Sequence, residues 1–315
     1  MRFHPTPSRA SRVRLATGAA VACLVFPWLA SSAAAEEGVR LRYGFRPGAS
    51  YSIQVGLRLT MQTEMQGLPP EAAGLAELAK DAREEMALRL VLDAGAPADD
   101  GATPVTVRVD DVLSKLTVGG QIVQVQGLEE RLEGATILEG KLSRDGRSLT
   151  LAPPSAADIP DASREMVSLL LQSLPSLPDR ELRPGDSFEI PARFELPGFG
   201  TGAGLDTTGR SIFTLRAVDG GTARFEVRGD ASATATGDPS RPMTIKASAQ
   251  GTAEFDLEEG IFSASRSELA IELGLEMQLP AGSPPPAAPV TLKVHGTAKG
   301  PVEVGVARVA ATTAK

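Results

Sequence analysis

Few side chains in this sequence are of the types that commonly carry out chemistry. The 315 residues include one cysteine, Cys23, and two histidines, His4 and His295. His295 alternates with Leu292 and Val294 so that it lies on the opposite face, and we expect it to face solvent. A lone imidazole makes a poor metal site, and no Gly-x-Ser-x-Gly nucleophile motif is present. The sequence therefore predicts no catalytic residue, no metal site and no cofactor.

Acidic residues occur as adjacent pairs, which would matter if two carboxylates shared one site. Neighbouring residues on a strand point to opposite faces, so these pairs are predicted not to act as paired acids. The regular series Glu268, Glu272 and Glu276 is interpreted as one solvated face. A hydrolase that uses two carboxylates from distant positions stays open as an alternative. The adjacent pairs are Asp99–Asp100, Asp110–Asp111, Glu129–Glu130 and Glu258–Glu259.

Residues 1–35 have the three parts of a secretory signal peptide. Residues 1–14 contain arginines but no acid, an apolar run follows over 15–29, and small residues lead to Ala35. This order predicts export with cleavage after Ala35. Cys23 ends a weak lipid-attachment box, so lipidation of Cys23 is the less favoured alternative to its removal with the signal peptide. The predicted location is periplasmic or extracellular, and an outer-membrane lipoprotein is less favoured.

The overall composition narrows the classes of partner. The formal net charge is −7, and the chain is 42% hydrophobic but only 4% aromatic. A net-acidic chain is a poor electrostatic partner for nucleic acid, so no nucleic acid is expected. No stretch after the signal peptide approaches the about 20 continuous apolar residues of a membrane helix, so no transmembrane span is expected in the mature chain.

Alternation of apolar and polar residues at period two dominates the remaining sequence. It runs through 39–46, 53–61, 86–92, 105–109 and 268–279. Runs of this kind bury one face and expose the other, as antiparallel sheets do. The sequence predicts a mainly β protein of about a dozen strands, arranged as a large curved antiparallel sheet or half-barrel.

Turn residues separate these runs and predict their connections. Asp145–Gly146, Asp219–Gly220–Gly221 and Glu259–Gly260 are each expected to close a tight hairpin. Two segments break the alternation and predict short covering helices: the Ala- and Glu-rich residues 70–85, and residues 161–174, which have a wide apolar stripe. We expect the second helix to pack on the sheet, and a lid over a hydrophobic concavity is the alternative.

A nine-residue pattern recurs within the chain. Residues 45–53 read FRPGASYSI and residues 182–190 read LRPGDSFEI. Pro followed by Gly at the centre of a turn is typical of type II turns, and a strand follows each copy. This suggests a first meander over 36–176, which contains both helices, and a second related meander over 177–315. Whether they form one continuous sheet or two domains stays open.

The sequence predicts many strands with one apolar face but only two helices that could cover that face, and this motivates a ligand hypothesis. A curved sheet must cover its inner face with helices, loops or a ligand, and two short helices are too few for a dozen strands. We therefore predict that the concave face binds lipid or the apolar segment of another protein. The predicted apolar contacts are Leu57, Leu59, Met61, Leu88, Leu90, Met166, Leu170, Leu273, Leu275 and Met277.

The two Arg-Pro-Gly segments and the order of the strands also carry a resemblance. Residues 39–61 and 174–279 resemble a family of secreted bacterial β-sheet proteins of uncharacterised function. The expected architecture is similar to periplasmic lipoprotein carriers, whose half-barrel holds acyl chains under a helical lid. The shared motifs are turns and strand starts, so they imply a fold and no chemistry.

Two functions are weighed ahead of the hydrolase. The first is a non-enzymatic exported protein that binds or carries lipid or lipoprotein acyl chains on a concave sheet. The second is an envelope structural or protein-interaction module without a small-molecule ligand, which would meet a protein partner through loops such as 95–104 and 280–289.

Overall fold

The described residues form a large antiparallel sheet with almost no helix. A computed structural model describes residues 34–35, 38–68, 74, 76–77, 80–123, 132–152, 154, 177–196, 205–235, 242–279 and 290–309. The strands are β1 (Ala34–Ala35), β2 (Gly38–Val39), β3 (Ser50–Gln66), β4 (Asp81–Ala94), β5 (Thr103–Val118), β6 (Gln121–Val123), β7 (Thr136–Leu142), β8 (Leu149–Ala152), β9 (Ser187–Leu196), β10 (Leu205–Asp219), β11 (Thr222–Ala235), β12 (Met243–Asp256), β13 (Ile261–Leu279) and β14 (Val290–Arg308). This confirms the mainly β prediction.

The strand order places the first and last long strands side by side. The 12-stranded sheet runs β8-β7-β5-β4-β3-β14-β13-β12-β11-β10-β9, and β6 pairs with β5. All of these pairs are antiparallel, and each strand from β9 to β14 pairs with its neighbour in sequence. Among the described strands the sheet is open, because β8 and β9 form its two edges.

Alternation in the sequence becomes an inner apolar face and an outer polar face. In β3 the residues from Tyr51 to Leu59 alternate between buried and more exposed positions. Cross-strand ion pairs mark the outer face, among them Arg210–Asp230 and Lys293–Glu276. All three predicted hairpins are confirmed, because β7–β8, β10–β11 and β12–β13 meet at the predicted turns.

One alternating segment is not a strand of the sheet. Residues 40–46, which we call the crossing segment, bury Leu41, Tyr43 and Phe45 but have no ladder partner. Instead the Tyr43 amide donates to the Gly146 carbonyl at 2.5 Å, and the Gly44 amide donates to the Gly260 carbonyl at 3.2 Å. The prediction of a strand over 39–46 was therefore wrong beyond Val39. The crossing segment joins hairpin turns from both halves of the sheet and fills the space between them.

The end of the sheet that holds the crossing segment is the closed end, and the opposite end is the open end. Aromatic rings pack at the closed end beside this segment. Phe188 stacks on Phe213 with ring centroids 5.1 Å apart, and Phe255 meets Phe262 edge-on at 5.0 Å. Phe225 lies between them, 6.3 Å from Phe213 and 6.0 Å from Phe262. Aromatic pairs at these separations stabilise a core beyond the area that they bury.

The repeated Arg-Pro-Gly pattern gives the same local structure twice. The Ala49 amide donates to the Arg46 carbonyl at 3.0 Å, and the Asp186 amide donates to the Arg183 carbonyl at 2.9 Å. Gly48 and Gly185 both have positive φ, at 74° and 96°. The strands that follow differ in position, because β3 is central and β9 is an edge strand. The sheet is continuous, and the division into two related meanders stays a prediction.

One of the two predicted helices lies partly within the described residues, and the other lies outside them. Residues 74, 76 and 77 are helical, but β4 already begins at Asp81, so the predicted helix over 70–85 was wrong over its last five residues. Pairing with β3, in which Ala82 lies opposite Met61, overrides the local helix propensity. Residues 161–174 and 1–33 lie outside the described residues. No helix of the described part of the chain is long and apolar enough to cross a membrane.

Candidate functional site

The burial of the inward side chains decreases along the strands from the closed end toward the open end. In the middle of β3, Leu57 and Leu59 are 1% and 2% exposed. Further along the same strand, Met61 and Met65 face the same way but are only half-buried. Apolar side chains that point inward yet remain accessible indicate a surface that the described residues leave partly uncovered.

Strand β14 makes a shallow trough in this surface because its inward residues are small. Gly296 lies opposite Leu273 of β13, and Ala298 lies opposite Met61 of β3. Neighbouring strands lie about 4.8 Å apart, so the larger side chains of β3 and β13 face each other across about 10 Å. We call this depression the inner trough; it comprises Met61, Thr63, Met65, Leu273, Leu275, Gly296 and Ala298.

Strands β4 and β5 extend the inner trough on the other side of β3. Met86, Leu88 and Leu116 are half-buried and face inward. Glu84 lies among them, between Leu59 of β3 and Leu116 of β5. Burial raises the pKa of Glu84 above its ordinary value, because a low-dielectric setting penalises the charged form.

The structure places most of the predicted contact residues on one face of the sheet. They differ in how far their side chains are buried. Leu57, Leu59 and Leu90 are 1–2% exposed and belong to the packed core. The half-buried members of the predicted set are Met61, Leu88, Leu273, Leu275 and Met277. Met166 and Leu170 lie outside the described residues.

Sequence reasoning missed Glu84 although a signal for it was present. The alternation of Met86, Leu88 and Leu90, extended back by two residues, places position 84 on the inward face. Because residues 70–85 were predicted to be helical, this alternation was not extended to position 84. The small inward residues of β14 were also missed, because their importance depends on which strands lie beside them.

Two of the adjacent acid pairs depart from the alternation rule, and Glu129–Glu130 lies outside the described residues. The register shifts between Arg89 and Leu90, and Asp110 is the extra residue of a bulge. As a result Asp110 and Asp111 both approach Arg89, at 2.5 Å and 3.7 Å. Glu258 and Glu259 lie in a turn, and both approach Arg46. The prediction of opposite faces was wrong for these two pairs, because neither lies in regular strand.

A groove of about 770 Å³ crosses the outer face at mid-sheet. Gly56 and Gly305 lie in its floor, and charged side chains form its walls. Those charges already pair with one another, as Arg89 does with Asp110 and Arg266 does with Glu303 at 3.4 Å. The groove therefore offers a ligand little unsatisfied charge.

Other chemistry is sparse in the described residues. His295 is exposed on the outer face of β14, as predicted. Within the described residues, no group of three or more His, Cys, Asp or Glu side chains is placed to hold a metal ion.

Comparison with known proteins adds little to this geometry. No protein-family model matches the chain, and no curated protein matches it. Among solved structures it is similar to an outer-membrane channel from Pseudomonas putida F1, at 9% identity and a TM-score of 0.23, over 87% of this chain and 99% of that chain. It is also similar to OpdL of Pseudomonas aeruginosa, at 8% identity and a TM-score of 0.20, over 84% of this chain and 99% of that chain. A third similar structure is the outer-membrane protease OmpT of Escherichia coli, at 7% identity and a TM-score of 0.21, over 84% of this chain and 98% of that chain.

At TM-scores this low, the likeness carries no argument about this protein. These neighbours are outer-membrane proteins, and the predicted resemblance to periplasmic carriers finds no support among them. The fold class rests instead on the strand pairing of the chain itself.

Proposed function

We propose that this is an exported, non-enzymatic protein that binds an apolar ligand, such as a lipid or lipoprotein acyl chain, in the inner trough. The observation that carries the proposal is the change in burial along the inward face. Leu269 and Ile271 of β13 are 2% and 4% exposed, whereas Leu273 and Leu275 beyond them are half-buried. Each apolar side chain covered by a ligand would contribute about 25 cal/mol per Å² removed from water.

The shape of the inner trough supports an elongated ligand. Gly296 and Ala298 remove side-chain volume between two rows of larger residues, and the trough runs along the strands. The nearest atom to a Cβ added at Gly296 is Leu273 Cβ, at 3.7 Å, which is an ordinary van der Waals contact, so a methyl group fits there without a clash. Methionine is adaptable to irregular apolar partners, and Met61 and Met65 line one side.

The outer face supports a water-facing location for the sheet. Its outward positions carry cross-strand ion pairs such as Arg216–Glu226 and Arg224–Glu254. Strands that face the hydrocarbon of a bilayer present mainly apolar side chains outward, whereas the described outward positions of these strands are mostly charged or polar. Together with the signal-peptide pattern of residues 1–35, this favours export into an aqueous compartment.

The adjacent acid pairs of the described residues give no support to the hydrolase alternative. The carboxylates of Asp110, Asp111 and Glu259 lie against arginines, which hold them as ion-pair partners. General acid–base catalysis instead needs a carboxyl group that is free to exchange protons within a cleft.

Binding of Nile red, a neutral apolar dye, tests the proposal, together with native mass spectrometry of the protein purified from its exported form. We expect blue-shifted dye fluorescence and a co-purified aliphatic species. Gly296→Val should weaken dye binding, because its side chain fills the inner trough. Gly305→Val is the matched control, since it lies on the same strand where an added Cβ meets nothing within 4 Å.

Two outcomes count against the proposal. If the folded wild-type protein binds neither dye nor lipid, the inner trough is not a ligand site. If Gly296→Val and Gly305→Val weaken binding equally, the dye binds elsewhere. Thermal unfolding of both variants checks that they fold.

A further inference from the structure

A single charged side chain lies within the apolar surface of the open end. Glu84 is flanked along β4 by Ala82 and Met86, and across the sheet by Leu59 and Leu116. Its neighbours in sequence, Arg83 and Glu85, are exposed on the outer face. Along the open-end halves of the described strands β3, β4, β5, β13 and β14, the other inward side chains are apolar, glycine, serine or threonine.

Glu84 has no partner in the described structure. It takes part in no hydrogen bond or ion pair there, and desolvation alone shifts its titration. Other carboxylates of the described strands face outward into solvent, and several of them meet arginine or lysine, as Glu226 and Glu276 do. Burying an unpaired carboxylate costs free energy, which a paired or exposed position would avoid.

We propose that Glu84 is the head-group anchor of the inner trough, and that its ligand is a cationic amphiphile with an aliphatic body and an ammonium group. This rests on the proposed function, since it assigns the ligand class of the same surface. The aliphatic body would lie against Met61, Met86 and Leu88, and the ammonium group would meet the Glu84 carboxylate.

The physical reason for a cation is charge complementarity in a poorly hydrated setting. An ammonium group supplies N–H donors and a positive charge, and such charge-assisted bonds are about twice as strong as neutral ones. A carboxylate head group would face like-charge repulsion from Glu84. A purely apolar ligand would cover the Glu84 side chain without satisfying it and would add to the desolvation cost.

Calorimetric titration with three probes of equal chain length tests the assignment: dodecylamine, dodecanol and dodecanoate, all below their micelle concentrations. We expect the ammonium form of dodecylamine to bind about tenfold more tightly than dodecanol, and dodecanoate to bind most weakly. Glu84→Gln, which keeps the shape of the side chain, should remove the preference for the amine. Glu85→Gln should retain it, because Glu85 lies on the outer face of the same strand.

The preference should also fall at acidic pH as Glu84 becomes protonated. The inward residues packed against it from β3, β4 and β5 are Leu59, Ala82, Met86 and Leu116, none of which titrates. Circular dichroism of both variants checks that they fold as the wild type does.

The outcomes separate this inference from the proposed function. Equal binding of amine and alcohol to the wild type overturns the role of Glu84 while leaving an apolar site in place. Loss of the amine preference in Glu85→Gln as well as in Glu84→Gln also overturns it, because a general charge effect would then be responsible. Failure of all three probes to bind the folded protein overturns both.

Discussion

Val39 and Leu182 exchange two backbone hydrogen bonds, at 2.9 Å from the Val39 amide and 2.8 Å from the Leu182 amide. Both side chains are almost fully buried, at 2% and 0% exposed. The bridge fixes the start of the crossing segment to the residues that lead into the edge strand β9. The crossing segment thereby links the residues before the edge strand β9 to the central strand β3, which follows the segment in sequence.

Leu182→Ala should lower the free energy of unfolding by about 2–4 kcal/mol, because it removes a fully buried side chain and leaves a cavity beside this bridge. Urea denaturation measures the change. Leu113→Ala is the control, since Leu113 is 58% exposed and its truncation should change stability by less than about 0.5 kcal/mol. Similar losses in the two variants would contradict a packed closed end.

Glu259→Ala should detach the crossing segment from β14. One oxygen of Glu259 accepts from Arg46 at 2.8 Å and approaches Arg308 at 3.1 Å, and the side chain is only 20% exposed. Because both arginines are partly solvated, we expect a loss of about 1 kcal/mol, and the loss should shrink at high salt.

The adjacent Glu258→Ala provides the matched comparison for this test. Glu258 is 86% exposed and lies 3.7 Å from Arg46, so its removal should have little effect. If the two variants unfold at the same urea concentration at low salt, Glu259 does not hold the segment.

Gly300→Ala should destabilise the pairing of β3 with β14 by about 1–3 kcal/mol. A Cβ at Gly300 would clash with the Arg58 carbonyl oxygen, a contact that only backbone movement can relieve. Gly296→Ala on the same strand should be neutral or slightly stabilising, because its nearest neighbour is 3.7 Å away. Thermal unfolding compares the two, and a Gly300→Ala variant as stable as Gly296→Ala would show that the strands are not so close.

Glu84→Gln should make stability less dependent on pH. Burial raises the pKa of Glu84 in the folded protein, so the folded state binds this proton more tightly than the unfolded state does. The wild type therefore loses stability as the pH rises from the ordinary glutamate pKa through the raised folded pKa. The variant should be the more stable protein at neutral pH, and the difference should vanish at acidic pH.

Denaturation of the wild type and Glu84→Gln across this pH range measures the effect. Glu85→Gln, on the exposed face, should follow the wild type. A constant difference between Glu84→Gln and the wild type at every pH would mean that the titration of Glu84 is not its cause.

Local chemistry made the strands and hairpins predictable. Period-two alternation directly reflects burial of one face, and the Gly-containing turns after Asp145, Asp219 and Glu259 allow few alternatives to a tight reversal. The helix over 70–85 failed at its end because Ala82 and Glu84 have helix-compatible types, whereas pairing with β3 decided their conformation.

The structure confirms which face of the strands points inward, whereas ligand binding on that face stays a prediction and the depth of burial was not predicted. Alternation identifies which residues point inward, so Leu57, Met61 and Leu273 were assigned to one face. It does not say how deeply each is covered, which depends on what lies opposite. The crossing segment covers the closed end and leaves Met61 and Leu273 accessible.

The sequence alone therefore determined the strand content, the turns and the apolar inward face, since each depends on residues close together in the chain. Only the tertiary structure decided that β14 pairs with β3, that its small residues form a trough, and that Glu84 lies unpaired beside it. These features join residues far apart in sequence, and long-range pairing is set by the packing of the whole sheet rather than by any local pattern.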